Sequence, residues 1–369
     1  MPPNQSVLLS PAELSYIQSS LSQTPPIRTD GRTATQFRPL VAETDILPAT
    51  NGSARVCFAD GTEAIVGVKA QVEKTSGAQA VVNGETEQEG ARGLGTAGGE
   101  DVDMNDADLD FSAGKGLDAW LEVSVEIPGF RDDDQLPVFL GSMLWEALLA
   151  DGKLRDRLYI NSRFHWVLYV DCQILLMSTP LSYPLPLLSL TTHLAMLQSK
   201  LPALISEKDE DPLFNDDWDA AVSLYGQKSG DSKPPITLLV MTVRDNILFD
   251  PTQEELAVAD GLLAVSVSET RSISETRGDL AVVAMRSIDP PSRATNPGIP
   301  NSMNPATGGV PPTSKEEALT MRESADPAKV WRLPRGGIKR AMIGPMIKAV
   351  VEKGGVGWEV LDALNGVER

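Results

Sequence analysis

Four carboxylates near residue 250 have the types and spacing that acid–base or metal chemistry would need. Asp250, Glu254 and Glu255 follow a predicted strand, and Asp260 precedes the next one. Carboxylates at strand ends could bind a divalent cation or serve as general acid and base. The alternative is a hairpin loop built from turn-forming Asp and Gly residues. We favour the loop, because the sequence supplies no obvious catalytic partner for these carboxylates.

Imidazole and thiol chemistry has little support. His165 and His193 are the only histidines, and Cys57 and Cys172 are the only cysteines. Their spacing fits no zinc site, no nucleophile elbow supports a Ser-His-Asp triad, and two cysteines in so long a chain do not make a disulfide framework. We therefore expect packing roles for these residues, no metal, no cofactor and a reducing compartment.

Charge argues against binding of phosphate or nucleic acid by this chain alone. Its 369 residues include 51 acidic and 32 basic side chains, a formal charge of −19, whereas proteins that bind nucleic acid unaided cluster Lys and Arg. A glycine-rich stretch at 93–99 lies among carboxylates that would repel phosphate. One dense basic cluster could contact RNA or an acidic partner, although a solvated helix start is the favoured interpretation: Arg332, Arg335, Lys339 and Arg340.

The elements that must position these groups alternate between strands and helices. A capping box beginning at Ser10 predicts a first helix, and two tight-turn dipeptides predict a β-meander over 36–74. The further predicted elements are strands at 119–127, 164–177, 236–243, 246–249, 262–267 and 280–285, and helices at 136–150, 184–204, 315–322, 340–353 and 358–364. Strands, helix and strands thus occur twice, which predicts a duplicated α+β core.

Two segments lack the apolar periodicity of these elements. Residues 75–118 are acidic and Gly-rich, and residues 290–313 are rich in Pro, Asn, Ser and Gly. We expect disorder in both, because neither can bury enough apolar surface to offset chain entropy. The acidic segment could instead be a docking tail for a basic partner. Without a secretory signal or an apolar run of about 18 residues, we expect an intracellular protein with no membrane partner.

Several short motifs resemble the RNase PH family. Residues 28–32 read R-T-D-G-R and residues 51–56 read N-G-S-A-R-V, and both lead into predicted strands, as in that family. D-P-T-Q-E-E at 250–255, followed by D-G at 260–261, resembles a branch of the family that forms the ring of the RNA exosome. The resemblance spans roughly residues 10–285 and, more weakly, the C-terminal helices, but neither insertion.

The resemblance implies an α+β, RNase PH-like fold (ribosomal protein S5 domain 2-like) with a duplicated β-sheet and helix core. It divides the chain into a lead-in at 1–27, a first half at 28–220 and a second half at 236–369, interrupted by the two insertions. Active members degrade RNA from the 3′ end by phosphorolysis. That reaction needs Arg with Ser or Thr to hold phosphate, and an Asp as acid or metal ligand.

The chain departs from active members where phosphate would bind. Those members carry a G-[ST]-R type motif shortly after the Asp of the central strand, whereas Asp171 is followed here by C-Q-I-L-L-M. Asp260 resembles the catalytic Asp, and we expect Asp250 and Asp260 to be vestigial. The resemblance therefore implies a non-catalytic exosome ring subunit. An active phosphate-dependent 3′-exoribonuclease is the alternative, and an acidic adaptor unrelated to RNA is a third possibility.

The same resemblance implies partners and a location. The partners would be paralogous RNase PH-like subunits in a six-membered ring, cap subunits with S1 and KH domains, a hydrolytic nuclease, and single-stranded RNA in the channel. The locations would be nucleus, nucleolus and cytoplasm. Because residues 135–152 contain no Lys or Arg, RNA affinity would come mostly from neighbouring subunits. The candidate RNA contacts on this chain are Arg55, Lys69, Lys74 and Arg163.

Overall fold

The computed structural model describes residues 9–75, 116–176, 183–206, 210–226, 233–270, 278–290 and 337–367, with a few isolated positions between 292 and 320. The insertions expected at 75–118 and 290–313 fall largely outside these residues, and so does most of the helix expected at 315–322. In the described part of the chain, no helix is long and apolar enough to cross a membrane.

The first helix, α1 (Pro11–Leu21), begins at the predicted capping box. The Ser10 backbone N–H donates to Glu13 Oε2 at 2.7 Å, and the Glu13 N–H donates to Ser10 Oγ at 3.3 Å. These bonds satisfy backbone donors that the first helical turn leaves unpaired. Leu14, Ile17 and Leu21 form its buried face, so the predicted helix is confirmed.

A five-stranded sheet follows. Its strands, in spatial order, are β1 (Leu40–Thr44), β2 (Gly52–Phe58), β3 (Glu63–Lys74), β5 (Phe164–Leu176) and β4 (Leu121–Glu126). Neighbours are antiparallel except β4 and β5, which are parallel. The helices α2 (Gln135–Leu149) and α3 (Lys153–Arg157) supply the crossover that a parallel pair requires. The predicted β-meander is confirmed, but the first of its two tight turns, predicted at Asn51-Gly52, is wrong, because β1 ends at Thr44 and Gly52 is the first residue of β2.

A second, four-stranded antiparallel sheet contains β8 (Ile236–Val243), β9 (Asn246–Phe249), β10 (Gly261–Thr270) and β11 (Asp279–Ile288). Its spatial order is β11-β10-β8-β9. Every residue of β8 is buried, as expected for a central strand made of apolar and β-branched residues. A short helix, α5 (Gln253–Leu256), connects β9 to β10. The strands predicted here are confirmed, and β10 and β11 are longer than predicted.

One helix joins the two sheets. α4 (Leu185–Gln198) contacts β2 and β3 on one side and β8 on the other, and every residue from Leu185 to Leu197 is buried. Its hydroxyls are satisfied locally: Thr191 and Thr192 donate to carbonyls four residues earlier, each at 2.8 Å. A helix that is apolar all round must lie inside the protein. The two halves therefore share one core.

The prediction of a helix over 184–204 is wrong at its C-terminal end. The Ser199 backbone is extended, and the Lys200 N–H donates to the Asn51 carbonyl at 3.0 Å. Pro202 lies within the predicted range and cannot continue a helix, because it lacks an N–H group. Lys200–Leu201 instead forms β6, which pairs with β7 (Val222–Ser223).

The described C-terminal part of the chain is helical. α6 (Arg340–Val351) contacts α7 (Val356–Asn365) as well as β10 and β11. Both helices were predicted, at 340–353 and 358–364. The α+β class is confirmed by this arrangement of two sheets and intervening helices. The domain boundaries at residues 27, 220 and 236 stay a prediction, because α4 packs against both sheets.

Candidate functional site

Asp250 lies at the end of β9 in a network of arginines. Arg38 donates to it from its backbone N at 2.9 Å, from Nε at 2.9 Å and from Nη2 at 2.6 Å. Arg32 Nη1 donates to the same carboxylate at 2.8 Å. Both carboxylate oxygens are therefore occupied. Asp250 has a backbone φ of +45°, a left-handed conformation that is uncommon for a residue other than glycine.

The electrostatics keep the Asp250 carboxylate charged. Burial, the largest single influence, raises its pKa, but the hydrogen bonds and positive charge of Arg38, aided by Arg32, outweigh burial and leave the pKa below its usual value. A carboxylate that is ionised at neutral pH and accepts hydrogen bonds on both oxygens is poorly suited to act as a general acid. Nor does it offer a free oxygen to a metal ion.

A second buried pair lies beside it. Arg28 Nε donates to Glu255 Oε1 at 2.8 Å, and Arg28 Nη2 donates to Glu255 Oε2 at 2.7 Å. Arg28 also donates to the carbonyls of Phe249 and Asp250 at 3.0 and 2.9 Å. Glu255 in turn accepts from the Thr252 N–H at 2.8 Å and completes a capping box at the start of α5. A bidentate pair with added backbone bonds is the favourable form of a buried ion pair.

The carboxylates of this network neutralise its arginines. Its cations are Arg28, Arg32 and Arg38, and their carboxylate partners are Asp30, Asp60, Asp250 and Glu255. Three positive against four negative charges leave nothing to attract a phosphate. Sequence reasoning found the R-T-D-G-R and D-P-T-Q-E-E motifs but did not predict that they bind each other. The sequence did contain a sign of this interaction, because each motif places charged residues beside a predicted turn. The structure shows that Arg28, Asp250 and Glu255 are buried.

Asp260 has a different, local role. Its carboxylate accepts from the Arg244 backbone N–H, and its own N–H donates to the Thr242 carbonyl at 2.9 Å. Arg244 has a φ of +54° in the turn between β8 and β9, so Asp260 holds that turn. Among the described residues, no three His, Cys, Asp or Glu side chains are grouped so that they could hold a metal ion. Asp260 fits the favoured interpretation as a turn residue, whereas Asp250 and Glu255 are bound by arginines that the sequence did not reveal as their partners.

The segment after Asp171 is apolar in space as well as in sequence. Asp171 is exposed, and its Oδ1 accepts from Ser124 Oγ at 2.7 Å. Cys172 and Ile174 are buried beneath the sheet, and burial raises the pKa of the Cys172 thiol to about 12. The N-terminus of α4, which faces this core, begins with Leu185 and has no side-chain cap. An anion placed here would lose its hydration without gaining a cation.

Two of the candidate RNA contacts, Arg55 and Lys69, lie on the open face of the five-stranded sheet. Arg55 bonds Glu63 and Glu43, the latter at 3.2 Å. Lys69 is exposed two strands from β4. This face also carries Glu43, Glu63, Glu73, Glu122, Glu126 and Asp171. Six carboxylates around two cations make this face acidic.

The other two candidates, Lys74 and Arg163, lie together at the end of the sheet. The Thr75 N–H donates to the Arg163 carbonyl at 2.8 Å, and Lys74 is paired with Phe164 in the β3–β5 ladder. Arg163 Nη2 bonds Asp211 at 2.7 Å.

Of the basic cluster near the C-terminus, Lys339 bonds Asp245 at 3.2 Å and Arg340 begins α6, whereas Arg332 and Arg335 lie outside the described residues.

The fold and these positions define a class of protein. It is an α+β protein in which two sheets pack around a shared buried helix. Around Asp250, one of the carboxylates considered for chemistry, arginines and carboxylates neutralise one another. The exosome complex component rrp42 of Schizosaccharomyces pombe is 31% identical to this chain over 283 residues, covering 73% of this chain and 81% of the relative. RRP42 of Saccharomyces cerevisiae is 31% identical over 275 residues, covering 73% and 85%. The chain belongs to the Rrp42 family of exosome complex components.

Three solved structures contain a similar chain, and two of them are archaeal-type exosome structures by description. They are an archaeal exosome core (TM-score 0.46, 20% identity, 75% of this chain and 85% of that one), an Archaeoglobus fulgidus exosome with RNA bound to its active site (0.45, 19%, 75% and 87%) and Rrp46 of rice, Oryza sativa (0.36, 13%, 68% and 87%). No family model matches the chain. The resemblance inferred from the short motifs is confirmed by the two fungal relatives.

Proposed function

We propose that this protein is a structural, non-catalytic subunit of the RNA exosome ring. In that role it supports 3′-to-5′ processing and degradation of RNA, including maturation of ribosomal RNA. The observation that carries the proposal is the similarity to two fungal exosome components, which extends over 73% of this chain. The fold agrees with an architectural role, since its two sheets and shared helix form one continuous core.

The partners of the charged side chains support the absence of catalysis. Phosphorolysis needs a bound phosphate beside an acid, but Arg28, Arg32 and Arg38 are held by carboxylates. The positions directly after Asp171 are Cys172, Gln173 and apolar residues. Asp260 holds a turn through the Arg244 N–H. Stripping water from an unpaired anion costs roughly several kcal/mol. Phosphate binding would therefore require a cation from elsewhere.

The proposed partners are other RNase PH-like subunits, cap subunits with S1 and KH domains, a hydrolytic exosome nuclease, and single-stranded RNA that passes through the assembled channel. The acidic open face of the first sheet indicates that most RNA affinity comes from the neighbours. On this chain we propose that Lys74 contacts RNA before the other three candidates do, since Arg55 and Lys69 lie among six carboxylates and Arg163 is bound to Asp211.

An active phosphate-dependent 3′-exoribonuclease is the competing function. It would need a phosphate site completed by a neighbouring subunit, with Asp260 as the acid. The geometry that favours it is limited to the partial exposure of Asp260 beside the β8–β9 turn.

Two measurements test the proposal. Native mass spectrometry of the tagged protein purified from its own cells should show a hetero-oligomer with several RNase PH-like chains, and a lone chain or a homo-oligomer would overturn ring membership. The purified assembly should then be given internally labelled RNA and phosphate. We expect no nucleoside diphosphate that depends on Asp260.

The matched pair for the activity test is Asp260→Asn and Asp245→Asn, since Asp245 is an exposed carboxylate near the same turn. Equal product patterns from both variants and the wild type would support the non-catalytic role. Loss of phosphate-dependent nucleoside diphosphate release in Asp260→Asn alone would show that the chain is an enzyme.

We also propose a distribution across nucleus, nucleolus and cytoplasm, which follows from exosome membership. Imaging of the chain tagged at its own chromosomal locus would test it. Signal confined to a membrane-bound organelle other than the nucleus would contradict it.

A further inference from the structure

An ordered hairpin with exposed apolar side chains lies between α4 and β8 in the chain and packs on the first half. The Ile205 N–H donates to the Leu213 carbonyl at 2.8 Å, and the Asn215 N–H donates to the Ala203 carbonyl at 2.9 Å. Residues 203–206 therefore run antiparallel to residues 213–215. We call residues 203–206 and 210–222 the acidic hairpin.

The acidic hairpin is fixed to the protein by a few buried contacts. The Phe214 ring lies 4.9 Å from that of Trp166, and β6 pairs with β7 at the base. Asn161 Nδ2 donates to the Glu210 carbonyl at 2.9 Å, and Arg163 bonds Asp211. The backbone is thus held in place by hydrogen bonds and by one aromatic anchor, and not by collapse of its own apolar side chains.

Those apolar side chains remain in solvent. Five of them are between 46% and 61% exposed: Leu204, Ile205, Leu213, Trp218 and Val222. Ile205 and Leu213 are neighbours across the backbone hydrogen bonds. Exposed apolar groups held on an ordered backbone, with a tryptophan among them, are typical of protein-binding surfaces, where aromatic side chains supply most of the binding energy.

The charge on the described part of the acidic hairpin has one sign. The described part of the acidic hairpin contains no Lys or Arg, and its exposed carboxylates are Glu210, Asp211, Asp216, Asp217 and Asp219. Of the cations beside it, Arg163 is bound to Asp211, and Lys200 is exposed in β6 opposite Ser223. RNA would be repelled by this surface, whereas a protein segment with Lys or Arg beside apolar residues would match it in both respects.

We propose that the acidic hairpin is a docking surface for an extended, basic and apolar segment of another protein in the same assembly. Trp218, Leu213 and Ile205 would take the apolar side chains of that segment, and Asp216, Asp217 and Asp219 would face its Lys or Arg residues. The proposal rests on the proposed function, because it takes the partner to be another component of the exosome.

The test places a photo-crosslinking amino acid, benzoylphenylalanine, at position 218 of the full chain within the purified native assembly. The matched control carries the same group at position 16, since Tyr16 is an aromatic residue exposed to 66% on α1. Crosslinked peptides are then sequenced by mass spectrometry. The expected product joins position 218 to a protein segment with more Lys and Arg than Asp and Glu, at a yield at least about fivefold above that from position 16.

A second arm measures the contribution of each chemistry. The crosslinked segment is synthesised as a peptide and titrated by fluorescence anisotropy onto the full chain and onto Trp218→Ser, Tyr16→Ser and the Asp216→Asn/Asp217→Asn/Asp219→Asn variant. We expect at least tenfold weaker binding to Trp218→Ser, threefold or more to the triple variant with a flatter salt dependence, and no change for Tyr16→Ser.

The outcomes separate this proposal from the proposed function. If the wild-type assembly contains exosome subunits but position 218 crosslinks RNA, an acidic segment, or nothing above the position-16 level, the docking proposal is overturned and ring membership stands. If native mass spectrometry finds no other subunit with the wild type, the proposed ring membership fails first, independently of the crosslinking result.

Discussion

Arg28 and Glu255 are 227 positions apart in the chain, yet they form a buried bidentate ion pair at 2.8 and 2.7 Å. The pair joins the segment before the first sheet to the helix that follows β9 in the second sheet. Both side chains are almost fully inaccessible. This buried ion pair, next to Asp250, therefore stabilises the junction between the two halves of the fold.

Removing one member of this pair should be costly. Glu255→Gln leaves the Arg28 guanidinium buried without its counter-charge, so we expect the free energy of unfolding in urea to fall by about 3–5 kcal/mol. The control is Glu352→Gln, which breaks the exposed Lys348–Glu352 pair on α6 and should cost at most about 0.5 kcal/mol. Equal losses in the two variants would contradict a stabilising role for the buried pair.

The stability of the chain should depend on the ionisation of Asp250. Its pKa is lowered in the folded protein, because the Arg38 hydrogen bonds outweigh burial. A group with a depressed folded pKa stabilises the fold above its unfolded pKa, and this contribution is lost as pH falls through the folded value.

We therefore expect the free energy of unfolding of the wild type to fall more steeply below about pH 4 than that of Asp250→Asn. The variant has no charge to lose there. Equilibrium unfolding at a series of acidic pH values measures both slopes. Asp279→Asn, which alters an exposed pair with Lys353, is the control. Parallel curves for wild type and Asp250→Asn would disprove the contribution of Asp250.

The two cysteines should differ sharply in reactivity. Burial is the main cause that raises the pKa of Cys172 to about 12, so roughly one thiol in 10⁴ is ionised at pH 8. Cys57 is only partly buried. We expect a disulfide reagent to titrate one thiol per native chain and two after unfolding. Cys57→Ser should abolish the native reaction; rapid labelling in that variant would show that Cys172 is accessible.

Gly52 should not tolerate a side chain. A Cβ built there would lie 2.6 Å from the Ala195 carbonyl oxygen and 2.7 Å from the Ser199 Cα, so the end of α4 would have to move. We expect Gly52→Ala to lower stability by about 1–3 kcal/mol. Gly141→Ala in α2, where a Cβ would lie at ordinary contact distance, 3.5 Å, from the Val123 carbonyl oxygen, should be neutral or stabilise by up to about 1 kcal/mol. Thermal unfolding of both variants measures the contrast; a neutral Gly52→Ala would mean that α4 adjusts freely.

Lys74 offers the clearest test of the RNA contacts proposed for this chain. It is exposed at the end of β3, and among the described residues it forms no ion pair. In the purified assembly, Lys74→Ala should weaken single-stranded RNA binding and reduce the salt slope by about 0.7. Lys348→Ala, which removes an exposed lysine of α6, should leave both unchanged. An unaltered salt slope in Lys74→Ala would remove this residue from the RNA path.

Local patterns in the sequence were enough to predict most of the elements. The Ser10–Glu13 capping box defined the start of α1, and turn dipeptides between strand-like residues indicated the meander of β1, β2 and β3. The long apolar run identified α4 as buried. These features depend on neighbours within about four residues, so a single sequence contains them. The ends of α4, β10 and β11 were misplaced, and the short elements α3, α5, β6 and β7 were not predicted. At the end of α4, Pro202 was a local signal against a helix, whereas the bond between Lys200 and Asn51 joins distant positions.

The candidate site was less accessible. The sequence marked Asp250, Asp260 and the R-T-D-G-R motif as places where charge is concentrated, and it showed that no phosphate-binding group follows Asp171 directly. It did not show that Arg32 and Arg38 would occupy both oxygens of Asp250. It also gave no reason to expect that Arg55 and Lys69 would lie among carboxylates.

The sequence by itself therefore determined the secondary structure, the α+β class and the family, because these follow from local periodicity and from motifs of a few residues. Only the tertiary structure decided what the charges do. Whether a carboxylate acts as an acid, binds a metal or neutralises an arginine depends on which groups lie within about 3 Å of it. For Glu255 that group is Arg28, 227 positions away, and folding alone brings the two together.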